Sequence, residues 1–371
     1  MIDGERRSAR FARLIDSMDR AGLDGVAMVP GANLYYLTGA HFHLMERPTL
    51  LFVSRDGAQH AIIPILERAR WQALAPDVET EYWQDSDGYE KAFVWMADRI
   101  RGARLGVEGQ RMRVFESEAL RRNLANVMVV DAQAEISQMR LCKDDDEVAV
   151  MQRAVEISEA ALAAVIEWVR PGMSEVAVKN KLLAAMLENG ADGAAFDPIV
   201  LSGPASADPH GTPSVERMLA AGDSLLIDFG AAWGGYNADI TRTFFVSRVS
   251  ERHREIYETV REANAVGRAA VRPGMSLHAL DDAVTGRLAE SEFAELIVHK
   301  TGHGLGLDVH EPPQVMIGNH QEMVPGMMIT IEPGLYKPGE VGVRIEDDVL
   351  VTEDGCRSLS GFERQLTVIG G

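Results

Sequence analysis

Residues 222–246 read Gly-Asp-Ser-Leu-Leu-Ile-Asp-Phe-Gly-Ala-Ala-Trp-Gly-Gly-Tyr-Asn-Ala-Asp-Ile-Thr-Arg-Thr-Phe-Phe-Val and set two carboxylates among apolar neighbours. Leu225-Leu226-Ile227 delivers Asp228 to a Phe-Gly step, and the run carrying Asp239 follows a turn at Gly234-Gly235. Two such runs joined by glycines read as a β-hairpin, which lets the carboxylates face each other across the sheet. A carboxylate beside Leu-Leu-Ile is costly to bury unless it is paired or coordinates a metal. Taken alone, Asp-Phe-Gly reads first as a turn. The rest of the chain shifts that weighting.

Val169-Arg170-Pro171-Gly172-Met173-Ser174 recurs letter for letter as Val271-Arg272-Pro273-Gly274-Met275-Ser276, 102 residues later. Gly222, Asp228 and Gly230 have counterparts in Gly326, Glu332 and Gly334 at an offset of 104. Asp208-Pro209-His210 matches Asp308-Val309-His310 at an offset of 100. Near-constant offsets across three landmarks mark a duplicated half-domain; with two copies, it is not a solenoid. Copy one supplies Asp228 and Asp239. Copy two supplies Glu332, in Ile-Thr-Ile-Glu-Pro-Gly, and Glu346, in Val-Arg-Ile-Glu-Asp-Asp. Four carboxylates converging where the halves meet would repel and take up protons. Divalent metal resolves this, and two ions ~3.5–4 Å apart suit a hydrolytic site. His303, in Thr-Gly-His-Gly-Leu-Gly, is the best imidazole to join them, because flanking glycines let backbone and metal approach closely.

Other chemistries find less support. Gly302–Gly306 is G-x-G-x-G without dinucleotide-loop spacing, and neither a phosphate-binding G-x-x-x-x-G-K-[ST] nor a G-x-S-x-G occurs. His41, His43, His60, His253, His278, His299 and His320 have ordinary contexts and are expected in surface or core roles. Asp347 and Asp348 are expected to be solvated or capping, Trp233 and Tyr236 to pack, and Asp208 to shape the turn before His210.

The elements that must position these groups fall into two blocks. Phe11, Leu14, Ile15 and Met18 predict a helix over 9–22, followed by a strand at 25–29. An irregular stretch opens at Gly31–Gly39 and continues to Pro48; strands at 49–54 and 61–64 flank a turn at Arg55-Asp56-Gly57. Helical and strand-like segments then alternate to Val130, an α/β module, and a boundary falls near Cys142-Lys143. Asp144-Asp145-Asp146-Glu147 has the D-x-x-E form of a helix start, with acids on the positive end of the dipole, and Arg170-Pro171-Gly172 ends that helix.

Asp228, Asp239, His303, Glu332 and Glu346, in this order and spacing, resemble the five metal ligands of the pita-bread metallopeptidases. Ser202-Gly203-Pro204, Pro209-His210-Gly211 and His310-Glu311-Pro312-Pro313 resemble the Xaa-Pro peptidase and creatinase branch across essentially the whole chain. The resemblance implies an α+β fold. A creatinase-like α/β domain occupies 1–140, and 141–371 form a pita-bread domain, a duplicated α/β half-domain around a curved antiparallel sheet. It implies two divalent ions per chain, with Mn²⁺ favoured by oxygen-rich ligation and Co²⁺ or Zn²⁺ as alternatives. It gives Glu332 a second role as proton shuttle, and makes His210 and His310 the imidazoles that hold the scissile carbonyl and stabilise the oxyanion. Arg344 is expected to bind a substrate carboxylate or to orient the ligand set. A homodimer is the family expectation, with the stretch from Tyr35 to Pro48, including the 41–48 loop, expected to approach the partner's site and limit substrate length.

The expected activity is metal-dependent hydrolysis of Xaa-Pro bonds in dipeptides or short peptides by a metal-bridged hydroxide. A hydrolase of a small non-peptide amide, of the ectoine hydrolase or creatinase kind, is the enzymatic rival. A non-catalytic peptide-binding protein is the remote one, since such domains generally lose ligands. A formal charge of −19 disfavours nucleic acid and anionic membrane as partners. Two cysteines are too few for a disulfide framework. With no apolar core to the N-terminal stretch and no run long enough to span a bilayer, a cytoplasmic protein is expected.

Overall fold

A computed structural model describes residues 4–371. The chain divides into two compact units, the first ending at Arg140 and the second running Leu141–Gly371. The first unit is a six-stranded mixed sheet with helices around it. Its strands are β1 (Gly25–Met28), β2 (Leu50–Ser54), β3 (Gln59–Pro64), β4 (Glu79–Trp83), β5 (Arg104–Val107) and β6 (Met128–Asp131), in the order β4-β3-β2-β1-β5-β6. Its helices are α1 (Gly4–Ala21), α2 (Ala32–Thr38), α3 (Arg68–Leu74), α4 (Glu90–Ala97), α5 (Val114–Asn123) and α6 (Gln133–Ser137). One segment departs from the sequence reading: 32–38 is helix, not irregular chain. Leu34, Tyr36 and Leu37 bury completely, Arg10 lies over the Tyr36 ring at 3.9 Å, and Gly39 closes the turn at φ 71°. Burial of every residue but Tyr35 and a left-handed glycine stop outweigh two tyrosines and a threonine, which are only middling helix formers.

The second unit is built twice over. Helices α7 (Asp145–Trp168) and α8 (Glu175–Glu188) belong to the first copy, and α9 (Glu251–Ala270) and α10 (Leu277–Ala289) to the second. Asp144 caps α7 by accepting from the Glu147 N–H while Glu147 reaches back to the Asp144 N–H. Such a box is worth about 1 kcal/mol. The repeated Val-Arg-Pro-Gly-Met-Ser does the same job in both copies. Its Pro-Gly turn stops one helix, Gly172 and Gly274 sit at φ 85° and 79°, and Ser174 or Ser276 caps the next.

The first copy's strands are β7 (Gly193–Ala194), β8 (Ile199–Ser202), β9 (Ser224–Phe229), β10 (Ala231–Trp233), β11 (Tyr236–Asn237) and β12 (Ile240–Val246). The second copy's are β13 (Gly302–Gly304), β14 (Glu311–Val315), β15 (Met328–Ile331), β16 (Gly334–Lys337), β17 (Val341–Arg344) and β18 (Asp347–Val351); β19 (Cys356–Ser358) and β20 (Val368–Ile369) finish the chain. The plan is the same in each copy. A long antiparallel pair, β9–β12 or β15–β18, is interrupted by a smaller hairpin, β10–β11 or β16–β17. The first small hairpin turns on Gly234-Gly235, both at positive φ, as a two-residue primed turn requires. Sheets β20-β12-β9-β8 and β14-β13-β15-β18-β19 result. They are tied where Thr241 accepts the Glu346 N–H at 3.1 Å and Thr243 Oγ1 accepts the Arg344 N–H at 3.1 Å.

Two glycines without special dihedrals allow close backbone approach, Gly342 between the copies and Gly230 within the first. A Cβ at Gly342 would meet the Ser206 carbonyl, and one at Gly230 would meet the Ala238 carbonyl. Gly342→Ala should therefore destabilise the protein by about 1–3 kcal/mol through overpacking. Gly286→Ala, in the open interior of α10, should stabilise it by about 0.5–1 kcal/mol. Urea denaturation midpoints of the two variants should move in opposite directions from the wild type.

Candidate metal centre

Each acid stands where a long strand breaks into its small hairpin. In β9–β12, Asp228 pairs with Thr241, so Asp239 lies two residues along on the same face, a diagonal neighbour. Gly230 faces the Ala238–Asp239 peptide, and its missing side chain makes room for that backbone. In β15–β18, Ile331 pairs with Asp347, which leaves Glu332 and Glu346 opposed one step beyond the ladder. Asn264 of α9, fully buried, donates its amide to the carbonyls of Ile331 (3.1 Å) and Ile345 (3.3 Å), the residues before the two glutamates. His303 enters on β13, its N–H on Thr330 Oγ1 at 3.1 Å.

Three overlapping groups bring ligand atoms within 4.8 Å of one another: Asp228, Asp239 and Glu346; His303, Glu332 and Glu346; and Asp239, His303 and His310. All five residues of the expected ligand set thus meet, and His310 meets them, its ring 4.1 Å from that of His303. His210 is exposed, its N–H on Asp208 Oδ1 at 3.2 Å in the turn that Asp208 shapes.

The electrostatics are those of a site built for cations. Burial first, then Glu346 and Asp228, push the Asp239 carboxyl well above its ordinary range. Burial, Glu332 and Asp228 do the same to Glu346. Burial raises Glu332 to about 7 against the pull of Arg344. Burial, followed by His310, lowers His303 to about 3. His303 Nε2 stands 3.3 Å from Glu332 Oε1 and 3.7 Å from Asp239 Oδ2, distances that would make ion pairs of a protonated ring. With a pKa of about 3 the ring is neutral. Its Nδ1 lies 3.0 Å from the Gly304 carbonyl, which can only accept, so the proton sits on Nδ1 and a lone pair on Nε2 faces carboxylate oxygens. Asp228 Oδ1 is buried with no hydrogen-bond partner. A lone pair aimed at carboxylates and an orphaned carboxylate oxygen both call for a cation between them, and the oxygen-rich donor set fits divalent metal.

Arg344 is the guanidinium at this cluster. It donates from Nη2 to Asp228 Oδ2, from Nε to Thr241 Oγ1 (3.0 Å) and from Nη1 to the Tyr336 hydroxyl (2.7 Å). Burial alone would lower it, but Tyr336, Asp228, Glu346 and Glu332 hold it well above its usual value. Of the two roles the sequence left open, this geometry favours orienting the ligand set over binding a substrate carboxylate.

Several participants escaped the sequence reading. His299, assigned to the background histidines, stands 2.9 Å from the Tyr336 hydroxyl, and burial takes it to about 4. Its spacing of four from His303, which puts both on one side of extended chain, was the only signal. Asp347 and Asp348 are neither solvated nor capping: both are fully buried. Asp347 binds Arg242 (2.8 Å) and Arg364 (2.7 Å); Asp348 accepts the Asp239 N–H at 3.2 Å. Tyr236 packs as expected but also donates to Glu147 at 2.6 Å. Lys143 and Glu311, almost wholly buried, pair at 2.7 Å directly behind His310.

In the metal-free protein Glu332 holds its proton up to about pH 7 when folded, against about 4.5 when unfolded. The folded state therefore binds more protons in that window, and the stability this group contributes at low pH is lost as pH rises through 7. The melting temperature of chelator-treated protein should fall from pH 5 to 8 more steeply than that of Glu332→Gln. Added divalent metal should raise it most at pH 8. Parallel profiles for the two apoproteins would remove this account.

Residues 149–353 match the family model for metallopeptidase family M24, and residues 10–142 match the creatinase/prolidase N-terminal domain. The chain is 34% identical to a Xaa-Pro dipeptidase from Pyrococcus horikoshii over 96% of its own length and 98% of that protein's. Its structure resembles that of dipeptidase PepE from Mycobacterium ulcerans, with a TM-score of 0.92, 34% identity and 99% of both chains covered. It also resembles a prolidase from Thermococcus sibiricus, with a TM-score of 0.93, 32% identity and both chains covered in full.

Proposed function

The chain belongs to metallopeptidase family M24 and carries a creatinase/prolidase N-terminal domain, and from that premise we propose that it is a metal-dependent peptidase of Xaa-Pro bonds in dipeptides or short peptides. The observation that carries the proposal is the complete set Asp228, Asp239, His303, Glu332 and Glu346, with a neutral imidazole and an unpaired carboxylate oxygen aimed at one centre. Relatives named Xaa-Pro dipeptidase and prolidase, similar over nearly their whole length, support peptides ending in proline over creatine-like amides.

Two divalent ions, Mn²⁺ by the oxygen-rich donor set, would be held by these five residues and would supply Lewis acidity towards the scissile carbonyl and towards water. Glu332 takes the proton of the attacking water and returns it to the prolyl nitrogen as the bond breaks. Burial and the Lys300 ammonium keep His310 below the usual histidine value, so at neutral pH it is an uncharged imidazole able to donate one N–H to the developing oxyanion. His210 donates from the other repeat. The prolyl nitrogen of the scissile bond is a tertiary amide with no N–H, so a site for it must rely on the carbonyl and on fit to the ring. Arg344 fixes Asp228 and Tyr336 around this arrangement. A homodimer working in the cytoplasm completes the proposal; two cysteines are too few for a disulfide framework, and among the described residues no helix is long and apolar enough to cross a membrane.

Ala-Pro should be turned over and Ala-Ala, creatine and ectoine should not; equal rates on Ala-Pro and Ala-Ala would end the proline assignment. His210→Ala should lower kcat on the order of 10²–10³-fold, as loss of one oxyanion donor does, with metal content unchanged by atomic emission. Asp239→Asn should lose at least one of two bound ions, because an amide is the poorer ligand. Full activity in metal-free Asp239→Asn would sink the hydrolytic mechanism. Sedimentation should give a dimer, and a fully active monomer would remove that element.

A further inference from the structure

Two imidazoles of this site, His210 and His310, lie in loops, and His303 lies on a strand of three residues. His210 lies between the end of β8 and residue 214, where a short 3₁₀ turn at Gly203–Ala207 and the Asp208 turn are the internal order. His303 and His310 lie between Thr301 and Ile317, a segment in which β13 carries His303, a loop carries His310, and β14 leads back alongside β13. In both copies one buried carboxylate on the second helix reaches the two ends of the segment.

Glu175, first residue of α8 and 1% exposed, accepts through Oε1 from the Ser202 N–H (2.6 Å) and hydroxyl (2.9 Å). Through Oε2 it accepts from the Ser214 N–H at 3.0 Å. Asp281, on α10 and 3% exposed, accepts through Oδ1 from the Thr301 N–H at 2.8 Å and through Oδ2 from the Ile317 N–H at 2.7 Å. Ser202 and Ser214 bracket His210; Thr301 and Ile317 bracket His303 and His310. The two acids are not at matching repeat positions. Asp281 stands one turn further from its serine cap than Glu175 does, on the same helix face. The repeats thus reach one construction through different residues.

We infer that Glu175 and Asp281 are positioning residues, carboxylate clamps whose two oxygens close the two ends of the imidazole-bearing segments and so set where His210, His303 and His310 stand. A carboxylate suits this because it is acceptor-only on both oxygens. An amide of the same shape keeps one acceptor and turns an NH₂ donor towards a backbone N–H donor, which releases one end of the segment. A displacement of about 1 Å in a catalytic group costs on the order of 10²-fold in rate. For a metal ligand, loss of an orienting partner costs about 10–100-fold in affinity.

The inference rests on the hydrolase reading for its kinetic arm only. Glu175→Gln should lower kcat on Ala-Pro on the order of 10²-fold, with KM and metal content near wild type and faster amide exchange confined to 203–213. Glu175→Gln,His210→Ala should be no slower than His210→Ala alone, since the clamp acts through that imidazole. Asp281→Asn should instead weaken Mn²⁺ binding about 10–100-fold in a metal titration without substrate. Additive losses in the double variant, or exchange in 203–213 unchanged in Glu175→Gln, would overturn the clamp on the first segment. Unaltered Mn²⁺ affinity in Asp281→Asn would overturn it on the second. Should Glu175→Gln fail to fold, Glu175→Asp, which keeps the charge but is too short for both ends, takes its place in the same exchange measurement. If His210→Ala keeps full kcat, the hydrolase reading of His210 fails, and the clamps still stand or fall on exchange and metal titration.

Discussion

Four carboxylates brought together inside a protein repel one another, and that repulsion is the constraint around which the second unit is arranged. Asp228, Asp239 and Glu346 are all under a tenth exposed, and burial is the first cause of the raised carboxyls at Asp239, Glu332 and Glu346. Water offers no relief there, so cations must. Arg344 is covalently present and already bonded to Asp228, Thr241 and Tyr336, which leaves the opposite side of the cluster to metal. A chain with no metal to bind would gain by replacing these acids with apolar residues. Their retention in an otherwise well-packed interior is the physical argument that the metal is part of the folded state.

Holding such a cluster requires a scaffold that does not relax away from it. The duplicated plan supplies one, because each long strand pair is cut by a small hairpin at the point where its acid stands. At the cut, Asp239, Glu332 and Glu346 stand just off the ladder, and Asp228 stands at its last pair but one. Backbone and side chain are then fixed from behind. Asn264 takes the carbonyls before Glu332 and Glu346, Arg242 takes the Glu346 carbonyl at 2.6 Å and Phe362 at 2.8 Å, and Thr241 Oγ1 donates to Glu346 Oε2 at 2.6 Å. Removing a partner from such a network leaves a buried group unsatisfied, the costly half of any hydrogen bond.

Much of this was legible in the residues. The Leu-Leu-Ile-Asp and Ile-Thr-Ile-Glu runs are strands with acids at their ends, the 102-residue repeat marks the second helix pair, and the D-x-x-E box opens α7. The ligand set could be named because acids at equivalent strand ends must meet if the copies do. What stayed hidden were groups whose importance depends on orientation. Asn264 looks like any polar residue on an amphipathic helix until its amide is found facing two strand ends. His299 looks like one histidine among ten. Lys143 and Glu311 are 168 residues apart, and nothing local marks them as a pair. Helix α2 was missed because its stability comes from burial nearly all round and a glycine stop, not from helix propensity or an amphipathic pattern.

The consecutive acids Glu346-Asp347-Asp348 show most sharply where sequence reading ends. All three are buried, two of the same residue type, yet they have three different fates. β18 is pleated, so Asp347 points away from the face that Glu346 and Asp348 share. On that far face it meets Arg242, Arg364 and Asn264; burial would raise its carboxyl, and the arginines hold it below the usual range. Asp348, one step on, faces the Asp239 backbone with Oδ1 unpartnered, and burial drives it well above that range. Opposite shifts in adjacent identical side chains cannot come from composition or charge count. They come from the phase of the pleat, which is fixed by the register Ile331↔Asp347 and Thr330↔Asp348. A slip of one residue would exchange the two side chains, sending Asp347 to the metal face and Asp348 to the arginines. The register that aligns Glu332 with Glu346 therefore also decides which neighbouring acid meets the arginines, so ligand geometry and ion pairing are set by a single choice of strand pairing.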